Sequence, residues 1–417
     1  MFWIGIIIVL LTFIAIIKRF ETRMVLFMSG LLMAIVGGMP GEVITSFTKT
    51  MVHGTLVPVI CTVMGFAYSI KLTKCDSHMV HLLVGSIKGV RPLLIPLTVA
   101  LTFCINIALP SAAGCAAAVG AIMIPTMISA GIHPAIAASA VMLGTFGGTL
   151  SPGAAHNPFL ANLANIDVMS VIAGHATSAV VCMIVSAVGL YLVARIKGEH
   201  TGYISKDISS NDEDFKINYI KALVPVFPLI LLILGSKQIA VLPTISVPQA
   251  MLAGVLVNLI VTRCNMQDLT KSFFQGMGHA YGNIIGLIAA AAVFTKGMEV
   301  IGITGSLIEM MKQSEQIASI AAGFGTMIIA ILCGSGDAAT LAFNGAITPH
   351  AQQFGFGITD LGSTAFLSGC FGRAMSPVAG AAIVCAEMAK IDPIEITKRN
   401  GPIMLVVAIV SMFILLY

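Results

Sequence analysis

The stretch Cys333–Gly380 reads CGSGDAATLAFNGAITPHAQQFGFGITDLGSTAFLSGCFGRAMSPVAG and is interrupted by small and polar residues at two points. The first interruption, Gly334–Asp337, has the sequence GSGD and lies at the start of the stretch. The second interruption, Arg373–Pro377, has the sequence RAMSP and lies near its end. Because the sequence around them is apolar, we predict a hairpin with its tip at the first interruption and a broken helix at the second.

An earlier part of the chain repeats this layout. Pro110–Gly114 (PSAAG) opens the earlier copy, and Gly148–Pro152 (GTLSP) closes it. The tetrapeptides Gly144–Gly147 (GTFG) and Gly369–Gly372 (GCFG) precede the two closing Ser-Pro pairs by the same number of residues. The offset between the copies is 224 residues at the first aligned proline and 225 at the last, so one residue has been gained. The chain therefore contains an internal repeat, which determines its architecture.

The composition indicates an integral membrane protein. Of the 417 residues, 57% are hydrophobic and only 10% are charged, and the mean hydropathy is +0.99. Soluble proteins carry about 25% charged residues. Apolar runs long enough for helices recur without the alternation of a β-barrel, so we predict an all-α polytopic protein in the lipid bilayer. The net charge of +4 gives no reason to expect a nucleic acid partner.

Charges beside the apolar segments predict the topology of the first half, residues 1–196. Lys18, Arg19 and Arg23 follow the first apolar segment, which places the N-terminus outside. The segment from 92 to 130 allows two full spans or one re-entrant hairpin, and the charges around it favour the hairpin. A broken helix at about 134–165 and a final helix follow. Residues 197–218 then form a hydrophilic cytoplasmic linker.

The second half, residues 219–417, repeats these elements with the opposite charge pattern. The segment Glu299–Glu315 is acidic where its counterpart, Lys71–Arg91, is basic. The predicted hairpin spans about 316–354, and the predicted broken helix about 358–389. Each half thus has three scaffold helices, a hairpin, a broken helix and a final helix, in inverted topology. Inverted repeats with broken helices at mid-membrane are typical of secondary transporters.

The interruptions supply the candidate site, because free N–H groups at helix N-termini attract anions and hydroxyl groups can bind carboxylates or a cation. The candidate substrate-binding residues are Ser111, Ala112, Gly114, Thr149, Ser151, His156, Asn157, Ser335, Gly336, Asp337, Thr340, Asn344, Arg373 and Ser376. The candidate residues for a coupling sodium ion or proton are Asp337, Ser335 and Ser151. The predicted substrate is a small molecule with an anionic group at each end.

Four of these residues have competing interpretations. Asp337 either couples an ion or caps a helix. Arg373 pairs with Asp337 or a substrate carboxylate, or forms a structural ion pair. His156 binds substrate or relays a proton, or is structural. Asn344 either lines the site or makes an interhelical hydrogen bond.

Other chemistries lack their residues in the sequence. No phosphate-binding G-x-x-x-x-G-K-[ST] motif occurs, and no His, Cys and acid cluster has metal-ligand spacing. We therefore expect no ATP-driven step, no cofactor, no metal and no catalytic residues. Nine single cysteines are expected to be buried thiols. His78, His81, His133 and His175 lie at predicted interfaces and are expected at the surface.

Two motifs of the second half resemble the DcuC family of anaerobic C4-dicarboxylate carriers. They are Gly334–Ala338 (GSGDA) and Gly372–Gly380 (GRAMSPVAG), the latter followed by Met388–Ile391 (MAKI). The resemblance is clearest from Tyr281 to Arg399. It implies a carrier of the bacterial inner membrane, with a periplasmic N-terminus, that exchanges fumarate, malate or succinate. The wider ion-transporter superfamily implies an elevator-type mechanism, commonly in a homodimer.

The chain departs from the family pattern at the presumed site. Asp337 stands where some members have an amide, and Gly153–Asn157 (GAAHN) replaces a segment that carries an acid. Exchange needs no external ion, whereas symport needs sodium or a proton. The nearest alternative is a cation-coupled symporter of another carboxylate or amino-acid-like anion. A channel needs a continuous polar stripe and an enzyme needs a nucleophile–base pair or metal ligands, and we find neither.

Overall fold

A computed structural model describes residues 2–18, 20–85, 93–204, 216–236, 241–312 and 315–417. Within these ranges, all regular secondary structure is helical. Residues 205–215 of the predicted linker and residues 86–92 of the basic segment lie outside the described part. In the described part of the chain, six helices are long and apolar enough to cross a membrane, and a seventh is added if Pro40–Met51 and Leu56–Leu72, bent by 48°, form one span.

We distinguish two groups of helices. The scaffold group is α1 Phe2–Ile17, α2 Thr22–Val36, α3 Pro40–Met51, α4 Leu56–Leu72, α5 Cys75–Gly85, α11 Tyr219–Leu223, α12 Phe227–Leu234, α13 Val247–Thr262, α14 Met266–Ala280, α15 Gly286–Val300 and α16 Ile303–Lys312. The hairpin group is α6 Leu94–Ala108, α7 Ala112–Ser129, α8 Pro134–Gly144, α9 His156–Ala164, α10 Val168–Ile196, α17 Glu315–Ile320, α18 Thr326–Cys333, α19 Gly336–Ala346, α20 Ile358–Met375, α21 Gly380–Ala389 and α22 Pro393–Leu416.

The scaffold group contains helices that the sequence did not predict. Helices α3 and α14 extend the third predicted scaffold helix of each half at its N-terminal side. Both carry charged residues, such as Glu42 and Lys49 in α3, so they lack the uninterrupted apolar run by which membrane helices are found. A π-helical turn, Tyr281–Ile285, joins α14 to α15.

Glycines permit the closest helix contacts of the scaffold group. A Cβ atom on Gly30 of α2 would lie 2.5 Å from the carbonyl oxygen of Val293 in α15. A Cβ atom on Gly276 of α14 would lie 2.4 Å from the carbonyl oxygen of Met64 in α4. Any larger residue would separate these backbones, so α2–α15 and α4–α14 form tightly packed pairs.

The hairpin group is interrupted at four points. Residues 109–111 separate α6 from α7, and residues 334–335 separate α18 from α19. Helix α8 continues into a 3-10 turn, Gly147–Leu150, and stops before α9, while residues 376–379 separate α20 from α21. These breaks coincide with the small and polar interruptions of the sequence at Pro110–Gly114, Gly148–Pro152, Gly334–Asp337 and Arg373–Pro377.

The last helix of each half meets its counterpart in the centre of the hairpin group, and α10 and α22 run antiparallel. Arg399 near the start of α22 donates from Nε to Glu199 Oε2 at 2.8 Å, just beyond the end of α10. Further along, the Cys182 thiol donates to the Val407 carbonyl at 3.7 Å, and the hydroxyls of Ser178 and Ser411 lie 3.1 Å apart.

The ends of the two interrupted hairpins contact opposite ends of this antiparallel pair. After α7, the backbone N–H of His133 donates to the Glu199 carbonyl at 3.0 Å. Before α18, the hydroxyl of Ser319 lies 3.4 Å from the hydroxyl of Tyr417, at the end of α22. Between them, the rings of Phe146 and Phe371 meet edge to face at 5.4 Å.

One expectation about individual residues is wrong, and another holds only in part. His175 is fully buried within the hairpin group, because α10 packs its ring between the Thr149 carbonyl of the first break and the Ser363 hydroxyl of α20. Six of the nine cysteines are buried, but Cys104 is exposed and Cys264 and Cys333 are half-buried. Cys333 is the last residue of α18 and Cys264 follows the end of α13, so both lie at helix ends, while Cys104 lies on an exposed face of α6.

Candidate functional site

A cavity of about 420 Å³ lies where the four interruptions approach the scaffold group. The hairpin group contributes residues of both hairpin tips and both breaks. The scaffold group contributes Met64 and residues around the π-helical turn, including His279 and Asn283. The cavity is therefore enclosed by elements from both halves of the chain and from both groups of helices.

Both hairpin tips are built from a serine-capped helix N-terminus. Ser111 Oγ accepts from the backbone N–H of Gly114 at 3.2 Å, and Ser335 Oγ accepts from the N–H of Ala338 at 3.3 Å. Gly334 has a φ of +72°, a left-handed conformation that glycine adopts without strain. The first residues of α7 and α19 line the cavity, so both helix dipoles add positive potential there.

Side chains from three helices hold the first break. The Asn157 amide donates to the carbonyls of Thr149 and Ser151, each at 2.8 Å. His175 Nε2 donates to the same Thr149 carbonyl at 3.0 Å. Asn106 of α6 donates to the Leu109 carbonyl at 2.8 Å and accepts from the N–H of Gly148, which ties the first tip to the first break. These bonds satisfy backbone groups that an interrupted helix leaves without partners.

His156 and Asp337 join the two halves inside the cavity. His156 Nε2 lies 3.0 Å from Asp337 Oδ1. The Asp337 side chain is 65% exposed because it faces the cavity, whereas the His156 side chain is 2% exposed. The imidazole packs on Phe366 with ring centroids 4.4 Å apart, and its Nδ1 has no hydrogen-bond partner among the described residues. The pair is thus an acid open to the cavity with a buried base behind it.

Arg373 lines the same cavity without a carboxylate partner in the described part of the chain. Its Nη2 donates to the Thr145 carbonyl at 2.9 Å, while its buried Nε has no partner there. No acid of the described residues lies within ion-pair distance of the Arg373 guanidinium group. The predicted pairing of Arg373 with Asp337 is therefore wrong, and so is the alternative of a structural ion pair. Asp337 is paired with His156 instead, and Arg373 keeps donors available to an anion.

The structure brings together eight of the candidate residues and separates the other six from the cavity. Those that line it are Ser111, Ala112, Thr149, His156, Ser335, Gly336, Asp337 and Arg373. Those outside its lining are Gly114, Ser151, Asn157, Thr340, Asn344 and Ser376. Ser151 lines a separate small cavity instead.

Three of the separated residues fasten the second hairpin to the second broken helix. Thr340 donates to the Ala365 carbonyl at 3.3 Å, and Asn344 donates to the Gly362 carbonyl at 3.2 Å. Ser376 donates to the Ile331 carbonyl at 2.7 Å. Of the two interpretations of Asn344, the structure therefore places its side chain in the interhelical hydrogen bond.

Four further polar residues line the cavity and were not among the predicted site residues: Asn106, Thr145, His279 and Asn283. Asn106 is an amide inside an apolar segment, which is a detectable signal because such residues are costly in a membrane. His279 and Asn283 flank a helix junction that the sequence had placed at the start of a helix. No cluster of three potential metal ligands occurs among the described residues.

A polar cavity between interrupted helices of a polytopic membrane protein is typical of membrane transporters, and the comparisons with known proteins support this class. The sequence profile of the DcuC family, described as C4-dicarboxylate anaerobic carriers, matches residues 2–417. The chain belongs to this family. It is a transporter and not an enzyme.

Individual relatives extend over most of the chain. The anaerobic C4-dicarboxylate transporter DcuC of Escherichia coli K12 is 26% identical, over 98% of this chain and 95% of its own length. An uncharacterized transporter of Haemophilus influenzae is 34% identical over 64% of this chain and all of its own length. The solved structure of Neisseria gonorrhoeae MtrF, titled as one of a class of antimetabolite efflux pumps, has a TM-score of 0.68 at 14% identity, covering 92% of this chain and 83% of that one. At this identity the likeness concerns the fold.

Proposed function

We propose that the protein is a secondary active carrier of C4-dicarboxylates such as fumarate, malate and succinate, in the bacterial inner membrane. The observation that carries the proposal is the cavity in which Arg373, without an acidic partner in the described chain, faces two serine-capped helix N-termini. Each of these groups favours an anion. The family membership and the curated DcuC relatives support dicarboxylates as the substrate class.

The carrier comprises two inverted-topology repeats, residues 1–196 and 219–417, joined by the linker 197–218. Four contacts support this proposal. The antiparallel pair α10–α22 and the attachment of the two hairpins to its opposite ends are expected if the halves face opposite sides of the membrane. Phe146 and Phe371, which occupy equivalent positions of the repeat, touch each other as residues beside a pseudo-two-fold axis would.

Transport follows an elevator-type movement in this proposal. The hairpins, the broken helices, α10 and α22 pack on one another and move as a unit past the scaffold group, which forms a homodimer. The packing pattern supports the division, since α4–α14 and α2–α15 are close pairs within the scaffold group and α20–α22 and α18–α20 are close pairs within the hairpin group. The N-terminus lies on the periplasmic side, as the basic residues after α1 predict.

Charge balance in the cavity supports a coupling proton at Asp337. A dicarboxylate adds two negative charges to that of Asp337. Arg373 supplies one positive charge, and the N-termini of α7 and α19 supply about half an elementary charge each. The positive charge in the cavity is therefore about two. One further proton on the His156–Asp337 pair brings the occupied cavity close to neutrality, which lowers the cost of moving it through a low-dielectric membrane.

A second candidate is a sodium- or proton-coupled symporter of another carboxylate or amino-acid-like anion. The observation that favours it is the Asp337 carboxylate, which is 65% exposed to the cavity. Such a carboxylate can accept charge-assisted hydrogen bonds from an ammonium group of the substrate. In that case Arg373 binds a single carboxylate.

The experiment is uptake of radiolabelled succinate into proteoliposomes, with and without internal fumarate, across sodium and pH gradients. Uptake that requires internal dicarboxylate and ignores the gradients indicates exchange. Uptake driven by a gradient indicates symport and identifies the coupling ion. Absence of uptake under every condition, by protein that is folded and inserted, contradicts dicarboxylate transport and directs the search to amino-acid-like anions.

A further inference from the structure

Two further polar side chains line the cavity from the scaffold group. They are His279 and Asn283, which lie on either side of the first residues of the π-helical turn Tyr281–Ile285. A π-helical turn inserts one residue into a helix and is frequently found at functional sites. The π-helical turn at the cavity wall therefore favours a functional role for His279 and Asn283.

Arg23 fixes the orientation of the Asn283 side chain. Arg23 Nη1 donates to Asn283 Oδ1 at 3.1 Å and to the Gly282 carbonyl at 2.8 Å. Since a guanidinium group can only donate, the amide oxygen must face Arg23 and the amide nitrogen must face away from it. The nitrogen then donates to the His279 carbonyl at 3.0 Å, a bond that returns to the helix end before the π-helical turn.

The same amide fixes the proton of the His279 ring. Asn283 Nδ2 lies 3.2 Å from His279 Nδ1. Because the amide nitrogen is the donor, Nδ1 is the acceptor, and the proton of the neutral imidazole is on Nε2. Tyr68 packs against the ring, with centroids 5.7 Å apart. No partner for Nε2 occurs among the described residues, so His279 offers one oriented N–H donor from the scaffold wall.

A dicarboxylate carries two anionic groups, and the cavity offers donors to them from two different groups of helices. Arg373 lies on α20 of the hairpin group, and His279 lies on α14 of the scaffold group. We propose that His279 binds the second carboxylate of the substrate while Arg373 binds the first, with Arg23 and Asn283 as positioning residues. This inference rests on the proposed function. It makes His279 the residue that distinguishes dicarboxylates from monocarboxylates.

The test compares the binding of succinate and of butyrate, which lacks the second carboxylate, to purified full-length protein. For His279→Ala we expect the succinate affinity to fall about tenfold, the effect of one charge-assisted hydrogen bond, with the butyrate affinity unchanged. His279→Gln, which keeps an N–H donor, is expected to recover most of the loss. His350→Ala is the matched control, because His350 lies outside the cavity lining and contacts Gln353.

Arg23 and Arg373 give two further readouts. Arg23→Gln is expected to reduce the preference for succinate over butyrate, and Arg23→Lys, which keeps a donor, to restore it. Arg373→Gln is expected to weaken both ligands. Equal losses of succinate and butyrate affinity in His279→Ala, or no loss, would overturn the role of His279 while the carrier function stands. Failure of the wild type to bind or transport succinate would instead overturn the proposed function, and this inference with it.

Discussion

Arg373 and Asp337 share one cavity but have different partners. Arg373 is held by the Thr145 carbonyl from the first half, and Asp337 is held by His156, also from the first half. Because neither neutralises the other through direct contact, the arginine remains available to an anion and the acid to a proton or cation. The positions of these two charges therefore depend on first-half groups that bind second-half side chains.

Replacing Asp337 by asparagine tests the coupling role at this scale. Asparagine keeps a hydrogen-bond acceptor for His156 but cannot be ionised, so we expect gradient-driven net uptake to be lost while exchange of preloaded substrate continues. The measurement compares the two modes in the same proteoliposomes. Asp360→Asn serves as control, since Asp360 lies in the first turn of α20 and outside the cavity lining. If both modes survive in Asp337→Asn, Asp337 has no coupling role.

At the scale of elements, each broken helix depends on a glycine that packs against the first arm of its hairpin. A Cβ atom on Gly147 would lie 2.0 Å from the Phe103 carbonyl oxygen of α6, and one on Gly372 would lie 2.3 Å from the Met327 carbonyl oxygen of α18. These two glycines occupy equivalent positions of the predicted repeat. The tetrapeptides GTFG and GCFG are thus packing motifs that bring a break next to a hairpin tip.

Gly372→Ala is therefore expected to be destabilising although alanine is the better helix former. The added methyl group must displace a backbone carbonyl, which costs about 1–3 kcal/mol, more than the roughly 1 kcal/mol that alanine contributes in a helix. Gly174→Ala in α10 is the matched control, because no atom lies within 4 Å of its added Cβ. We expect thermal unfolding in detergent at a lower temperature for the first variant and at an equal or higher temperature for the second.

At the scale of the whole molecule, Glu199 connects the segment after α10 to the start of α22. Burial raises the pKa of Glu199, but the hydrogen bonds and charge of Arg399 lower it by more, so the pKa lies below its ordinary value of 4.5. A depressed carboxyl pKa contributes stability above the ordinary value, and that stability is lost as the pH falls through the folded-state pKa.

Glu199→Gln should therefore lower the unfolding temperature at neutral pH, because Arg399, whose side chain is 5% exposed, then retains only Glu395 as an acidic partner among the described residues. The difference from wild type should shrink as the pH is lowered below about 4.5. Thermal unfolding across this pH range measures it. A difference that stays constant with pH would show that the carboxylate charge of Glu199 is not the stabilising feature.

The proposed inverted topology makes a prediction about the whole molecule that labelling can check. Ser129, near the end of α7, and Gln316, in α17, belong to hairpins proposed to enter from opposite sides of the membrane. In a cysteine-free background, we expect Ser129→Cys to react with an impermeant thiol reagent from the cytoplasmic side and Gln316→Cys from the periplasmic side. Reaction of both from one side would contradict inverted repeats.

The sequence by itself determined the class of protein and the positions of the interruptions. Apolar runs are imposed by the lipid, and small polar interruptions in them are rare, so both are visible without a structure. Asp337 and Arg373 were found for the same reason, since charged groups in apolar segments are costly. The family resemblance was confirmed over the whole chain.

Only the tertiary structure decided which of these residues meet. The pairing of His156 with Asp337 joins residues 181 positions apart, and the contact of Arg373 with Thr145 joins residues 228 positions apart. His175, expected at the surface, is buried against the Thr149 carbonyl. His279 and Asn283 enter the cavity through a π-helical turn that leaves no clear mark in hydrophobic periodicity. Contacts of this kind depend on the packing of distant helices, which composition and spacing do not encode locally.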